Sequence, residues 1–333
     1  MTTQSSAALQ ARTLRMEDAA LVETFLNLCN YHDLGEAWLE AGKLQRAWQA
    51  PNFSVAESTY ALFADDQLVA YAELVDLKPP YVHAHGELAV HPAWRGRGIE
   101  AHMLAWLIET SKRNLARAPQ TARVVLRVGA DSRLCELLAL YEQHGFRHIR
   151  SYYQMRLDMD APPPEPSLPE GIALRTFRKG QDERATFEAI DEAFRDHFGH
   201  IGGQFALFEH YVLNDPLADH SMWYLALAGE QIAGVCLCLK YIAEDPEMGW
   251  VEELAVRRPY RKRGLGMALL QTAFGEFYRR GYRRVGLAVD SQNLTGALRL
   301  YERAGMRPER TWLRYEFVLR EGEELSTRAL TGE

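Results

Sequence analysis

One pattern occurs twice in this chain of 333 residues, and the repeat limits the folds open to it. Glu253-Leu254-Ala255-Val256 runs through Pro259 to Arg261, Gly264 and Gly266, while Glu87-Leu88-Ala89-Val90 runs through Pro92 to Arg95, Gly98 and Glu100. Seven of these positions pair at a constant offset of 166 residues. A second block repeats at an offset of 160: Leu140-Tyr141-Glu142 with Gly145-Phe146, against Leu300-Tyr301-Glu302 with Gly305-Met306. The six-residue difference falls between the blocks, where the first copy carries an additional polar run from Ser111 to Gln120. Two similar domains follow, and only the second has the intact pattern.

The boundary between them is visible as Ala161-Pro162-Pro163-Pro164-Glu165-Pro166-Ser167-Leu168-Pro169, where five prolines in nine residues remove backbone donors and favour an extended connector. The expected division is an N-terminal domain over 1–160, a linker over 161–171 and a C-terminal domain over 172–333. Each is long enough to bury its own core. Apolar content of 47% with 25% charged residues is that of a soluble globular chain. No run approaches the roughly 18 to 20 apolar residues of a membrane span, and Met1 to Arg12 lacks a signal-peptide pattern, so a cytoplasmic location is expected. A net charge of −7 argues against a nucleic-acid partner. Cys29 and Cys135 stand alone and Cys236 and Cys238 share one strand face, and neither they nor His197 and His200 gain the further ligands a metal needs.

Periodicity predicts the same mixed α/β order in both halves. In the second it reads strand Ile172 to Phe177, helix Asp182 to Phe198, strands Trp223 to Ala228 and Gln231 to Ile242, then strand Trp250 to Val256. A helix from Gly264 to Arg280, a strand from Val285 to Val289, a helix from Leu294 to Ala304 and a closing strand from Thr311 to Leu319 complete it. Tyr211, Trp223 and Tyr224 are expected in the core, and the termini are expected to fray.

The chemistry gathers where the strand ending at Val256 empties into Arg257, Arg258, Arg261, Lys262 and Arg263 before Gly264 and Gly266 open an apolar helix. Unpaired amides and the dipole at a helix start favour an anion, and glycines let a pyrophosphate approach the main chain. These residues, with Asn293-x-x-Ala297-x-x-Leu300-Tyr301-x-x-x-Gly305, resemble the GNAT (Gcn5-related N-acetyltransferase) superfamily. The resemblance occurs twice, over residues 12 to 158 and 172 to 319. The tandem arrangement is most similar to the mycothiol synthase branch.

The resemblance implies a twisted mixed sheet, with acetyl-CoA lying where two central parallel strands splay. Its pyrophosphate would rest on the amides of Lys262, Arg263, Gly264, Leu265 and Gly266. Main-chain groups of Leu254, Ala255 and Val256 would hold the pantetheine arm and polarise the thioester carbonyl. Arg261 would position the loop or contact phosphate, and Asn293 would cap the following helix or touch the ligand. Glu252 is the expected base for an amine acceptor, with Glu253 on the opposite face unless a bulge intervenes. Tyr301 is the expected acid for the departing thiolate. In the first domain Glu100 adds negative charge where the second has Gly266, and Gly86 stands where the second has Glu252. That half is expected to be degenerate. The implied activity is acetyl transfer to a primary amine of a small molecule or peptide, by direct attack in a ternary complex. An acyl-CoA-binding scaffold without turnover is the alternative. Asp196 and His197 are candidates on the acceptor side. Oligomeric state is not legible.

Overall fold

The computed structural model describes residues 8–293 and 295–328. The readings on 1–7, Leu294 and 329–333 lie outside the described residues. The first stretch runs β1 (Leu9–Arg12), α1 (Ala19–Leu34), α2 (Lys43–Trp48), α3 (Val55–Ser58), β2 (Thr59–Ala64), β3 (Gln67–Val75), β4 (His83–Val90), α4 (Ile99–Ser111), α5 (Asn114–Arg117), β5 (Val124–Asp131), α6 (Cys135–Gln143) and β6 (Arg147–Asp158). After the prolines come β7 (Ala173–Thr176), α7 (Glu183–Phe194), α8 (Phe205–Phe208), β8 (Tyr224–Ala228), β9 (Gln231–Leu239), β10 (Met248–Val256), α9 (Leu265–Arg279), β11 (Arg284–Asp290), α10 (Ala297–Arg303) and β12 (Arg307–Arg320). The extra polar run of the first copy forms α5. Helix α7 stops four residues before the expected Phe198.

Two compact units result. The first comprises Met1–Ile149 with Leu313–Leu325, and the second comprises Arg150–Trp312 with Ser326–Glu333. Strand order is β1-β2-β3-β4-β5-β12 in the first and β6-β11-β10-β9-β8-β7 in the second. Each unit takes a strand from beyond the proline run: most of β6 belongs to the second, and β12 from Leu313 to the first.

In both units the sheet is covered on two faces, which is why β3 and β9 read as near-continuous apolar runs. In the second unit Leu269, Ala273 and Phe277 recur at helical spacing on α9 and bury against Cys236, Cys238, Val251 and Leu287. The opposite face packs Ile190 and Ala193 of α7 against Val235, Leu237 and Ala255. Each large side chain so buried contributes about 1.5–3 kcal/mol. Gly249 permits one close approach: a Cβ there would lie 2.3 Å from the Phe277 ring. Trp223 and Tyr224 are buried as expected, whereas Tyr211 is 42% exposed, on the outward side of the π-helical turn Glu209–Leu213 whose Leu213 is buried.

Candidate active site

In the second unit β10 and β11 are parallel neighbours only from Met248↔Arg284 to Trp250↔Gly286. Both strands continue, β10 to Val256 and β11 to Asp290, so they part and leave main-chain groups facing a cleft. On its other edge β10 slips register against β9: Val251 lies opposite Cys238 and Glu253 opposite Leu237, which makes Glu252 an extra residue. Such a bulge bends the strand and re-aims its side chains. Glu252 and Glu253 therefore do not simply alternate. The Glu252 carboxylate is exposed and accepts the Trp250 indole N–H at 2.9 Å. Burial, then the charge of Glu252, pushes the Glu253 carboxyl up to about 8. In the first unit β4 and β5 also part, after Gly86↔Val128, but β4 pairs regularly with β3 through Glu73↔Glu87 and Leu74↔Gly86.

Beyond Val256 the loop turns through left-handed Lys262 (φ 58°) and Gly264 (φ 87°) into α9. The helix has no side-chain N-cap, and its first turn closes with Ala268 N–H donating to Gly264 O at 3.1 Å. The amides before Ala268 are those a helix start leaves unpaired, and here they converge at the positive end of the dipole. A Cβ on Gly266 would lie 3.0 Å from Leu300 Cδ2 and 3.8 Å from Val256 Cγ2, so the loop, the strand end and α10 meet at this glycine. The first unit differs chemically here. Its Gly96 N–H, at the position of Lys262, donates to its own Glu100 carboxylate at 3.2 Å.

Arg261 turns inward. Its Nε donates to Val256 O at 2.9 Å, one terminal nitrogen to Ala193 O at 2.8 Å and the other to Asp196 at 2.5 Å. Arg258 joins it on Asp196, and these arginines, against the opposing effect of burial, hold that carboxyl down at about 2. The first unit repeats the arrangement: Arg95 donates to Val90 O at 3.0 Å and grips Asp33 through two bonds of 2.6 and 2.8 Å. Asp196 is thus committed to the loop, not open to an ammonium. Arg261 holds the loop to the end of α7. Sequence reading missed this pairing, although the recurrence of Asp33 with Arg95 and Asp196 with Arg261 carried the signal.

Asp196→Ala strands two guanidinium groups, and a loss of about 2–3 kcal/mol in chemical unfolding is expected. Because the folded pKa lies below the unfolded value of about 3.9, this contribution holds above that pH and is lost as pH falls toward 2. An unchanged denaturation midpoint at pH 7 would contradict the assignment.

The other expected residues fall around the same cleft. Leu254 lies opposite Cys236 and Val256 opposite Gly234, with Ala255 between them turned beneath α7. Arg263 reaches outward to Glu170 O at 3.2 Å. Asn293 is a capping residue: its side-chain oxygen accepts the amides of Thr295 at 2.8 Å and Ala297 at 3.1 Å at the start of α10. The Tyr301 ring is buried, its hydroxyl has no hydrogen-bond partner among the described residues, and burial pushes its pKa well up. His197 is driven down to about 4, mainly by burial, and lies 4.2 Å from the Phe194 ring. Among the described residues no group of three potential metal ligands occurs and no helix is long and apolar enough to cross a membrane.

Parted parallel strands beside an uncapped helix start make a cleft with a seat for an anionic group, the kind of site an acyltransferase of this fold offers. Comparison with known proteins is more specific. The acetyltransferase (GNAT) family profile matches residues 185–306, and the acetyltransferase (GNAT) domain profile matches residues 52–148. A mycothiol acetyltransferase of Thermobispora bispora is 32% identical over 248 residues, covering 73% of this chain and 78% of that one. The solved structure of a GCN5-related N-acetyltransferase from Sphaerobacter thermophilus superposes with a TM-score of 0.77 at 34% identity, over 96% of this chain and 98% of the other. A tandem GNAT protein from the clavulanic acid biosynthesis pathway shares the fold, with a TM-score of 0.67 at 17% identity over 95% and 100% of the two chains. The chain belongs to the GNAT family, as a tandem GNAT protein similar to mycothiol acetyltransferases, and is an acyltransferase that moves acetyl to an amine.

Proposed function

We propose that the second unit carries the reaction, drawing acetyl from acetyl-CoA and passing it directly to a small-molecule amine of the kind mycothiol acetyltransferases act on, in the cytoplasm. One observation carries the reading most: both helix starts lack a side-chain cap, but in the first unit the loop amide of Gly96 is taken by Glu100, while in the second Gly266 stands where that carboxylate would be and leaves the Lys262 amide without it. The amides from Lys262 to Gly266 fit a pyrophosphate, and the main chain of Leu254 to Val256 fits the amide-rich arm that follows it. Acetyl-CoA supplies the activated acyl carbon. This chain orients it, accepts the amine's proton and returns one to the thiolate.

Glu252 and Glu253 divide naturally. With a pKa of about 8, Glu253 is mostly protonated at neutral pH, partly because Glu252 beside it is charged. Environments that separate two carboxyl groups in this way assign their roles. Glu252 takes the proton, directly or through water. Glu252→Gln should lower kcat about a hundredfold, the low end for general-base loss, and Glu253→Gln less than tenfold. The reverse ranking would reassign the base.

Tyr301, which burial keeps protonated, is the acid. The whole reading is tested by following coenzyme A release from acetyl-CoA with a panel of small amines. Amine-dependent release is expected, and tight binding without release by any amine would leave the chain a scaffold.

A further inference from the structure

Helix α1 of the first unit is apolar on two sides, and one of them is exposed. Val22, Phe25, Leu26 and Cys29 are buried in the core with Ala61, Leu68 and Tyr71. On the outward side Leu21, Thr24, Leu28 and Tyr31 recur at steps of three and four residues, the spacing of a seam by which one helix packs on another. All four are exposed, Leu21 at 41%, Leu28 at 46% and Tyr31 at 66%. The Thr24 hydroxyl is spent on Ala20 O at 2.8 Å, which leaves its methyl group to the seam. From Ala19 to Tyr31 the sole charged residue is Glu23, which is buried and accepts the Gly42 amide at 3.1 Å. A groove of about 730 Å³ lined by Leu28, Tyr31, His32, His91, Pro92 and Ala93 continues the seam at its far end.

The second unit shows that the fold does not require this stripe. Thr186, Ala189, Ile190 and Ala193 of α7 are the buried counterparts of Val22, Phe25, Leu26 and Cys29, which sets Ala185, Glu188, Glu192 and Arg195 where the first unit has Leu21, Thr24, Leu28 and Tyr31. There the surface is charged, and Arg257 closes on Glu192 at 2.6 Å. The first unit has His91 in place of Arg257 and Leu28 in place of Glu192, so an apolar wall stands where the second unit has an ion pair. Of the seven large apolar side chains exposed among the described residues, three lie on this one stripe. Contiguous exposed apolar surface of this kind marks a place where another molecule sits.

We propose that a second copy of this chain packs here, α1 against α1 and antiparallel about a two-fold axis. That arrangement sets Leu21 beside the partner's Tyr31 and Thr24 beside the partner's Leu28, so Leu21 of each copy closes on the groove of the other and the contact is self-complementary. Charge selects this occupant. The chain carries a net charge of −7, so its copies repel, yet along this seam no like charges are opposed, and antiparallel helices place each positive start beside a negative end. At the margin the exposed Glu17 of one copy comes to the end of α1 that carries the partner's His32. An uncharged stripe offers a partner of strong charge nothing to grip. A seam about 15 Å long, with its groove, is small beside the roughly 800 Å² per partner of stable dimers, so a reversible association in the micromolar range follows.

Sedimentation equilibrium of the full-length chain is expected to show a reversible monomer–dimer equilibrium with a Kd of about 1–100 μM. Leu28→Glu combined with Tyr31→Arg, the residues the second unit carries at these places, should weaken the dimer at least about thirtyfold. Because both side chains are exposed, the thermal midpoint of that variant, measured where the chain is monomeric, should stay within about two degrees of the parent. Leu21→Lys, at the other end of the seam, should weaken the dimer about tenfold on its own. A parent chain that stays monomeric up to about 1 mM overturns the proposal. So does a dimer that survives either charged variant in its folded form, since another face then holds it.

Discussion

Gly266→Glu is expected to weaken acetyl-CoA binding about a hundredfold by calorimetry, while the thermal midpoint moves by only a few degrees. The first unit shows how: four residues after Gly96, Glu100 folds back so that its carboxylate accepts the Gly96 amide at 3.2 Å. The introduced carboxylate would stand in the same relation to Lys262, occupying an amide proposed to bind phosphate and setting like charge against like. Hydrogen bonds to charged groups contribute about 1.5–3 kcal/mol each, so displacing one with added repulsion reaches the roughly 2.7 kcal/mol that a hundredfold represents. The new Cβ comes closest to the end of Leu300, at 3.0 Å, a flexible side chain that can give way, and meets Val256 Cγ2 at an ordinary 3.8 Å. Equal affinities for parent and variant would remove these amides from the nucleotide site.

Tyr301→Phe is expected to leave acetyl-CoA affinity within about twofold and to lower kcat by about a hundredfold to a thousandfold, the range general acids supply. The ring packs among Cys236, Leu265 and Met306, a setting that phenylalanine fills equally well, so the variant should fold like the parent. What it loses is an oxygen with no other partner among the described residues, whose proton burial keeps in place at every physiological pH. Single-turnover release of the thiol isolates that step. An unchanged rate under those conditions would relieve Tyr301 of the acid's role.

Much of this was legible before any coordinates, for physical reasons that differ by element. Strands β9 and β10 and helix α9 announce themselves because their apolar period matches their geometry over many residues. The helix start at Gly264 is equally plain, since Gly264 takes a left-handed φ of 87° and the basic run before it is local in sequence. Three features were not legible. The bulge at Glu252 depends on how β10 registers against β9, a contact that alternation alone does not encode. The bond from Arg261 to Asp196 spans 65 residues, and only the parallel pair Arg95 and Asp33 hinted at it. The contributions of β6 to the second unit and of β12 to the first depend on which sheet edge a strand finds, which no periodicity reports.

That exchange of terminal strands bears on where the chain can be cut. A second half starting after the prolines would lack residues 150–158 and bare the backbone of β11, a sticky edge that invites aggregation. Cutting the chain at the prolines is therefore expected to cost the second unit its solubility, and keeping residues 150–158 to restore it.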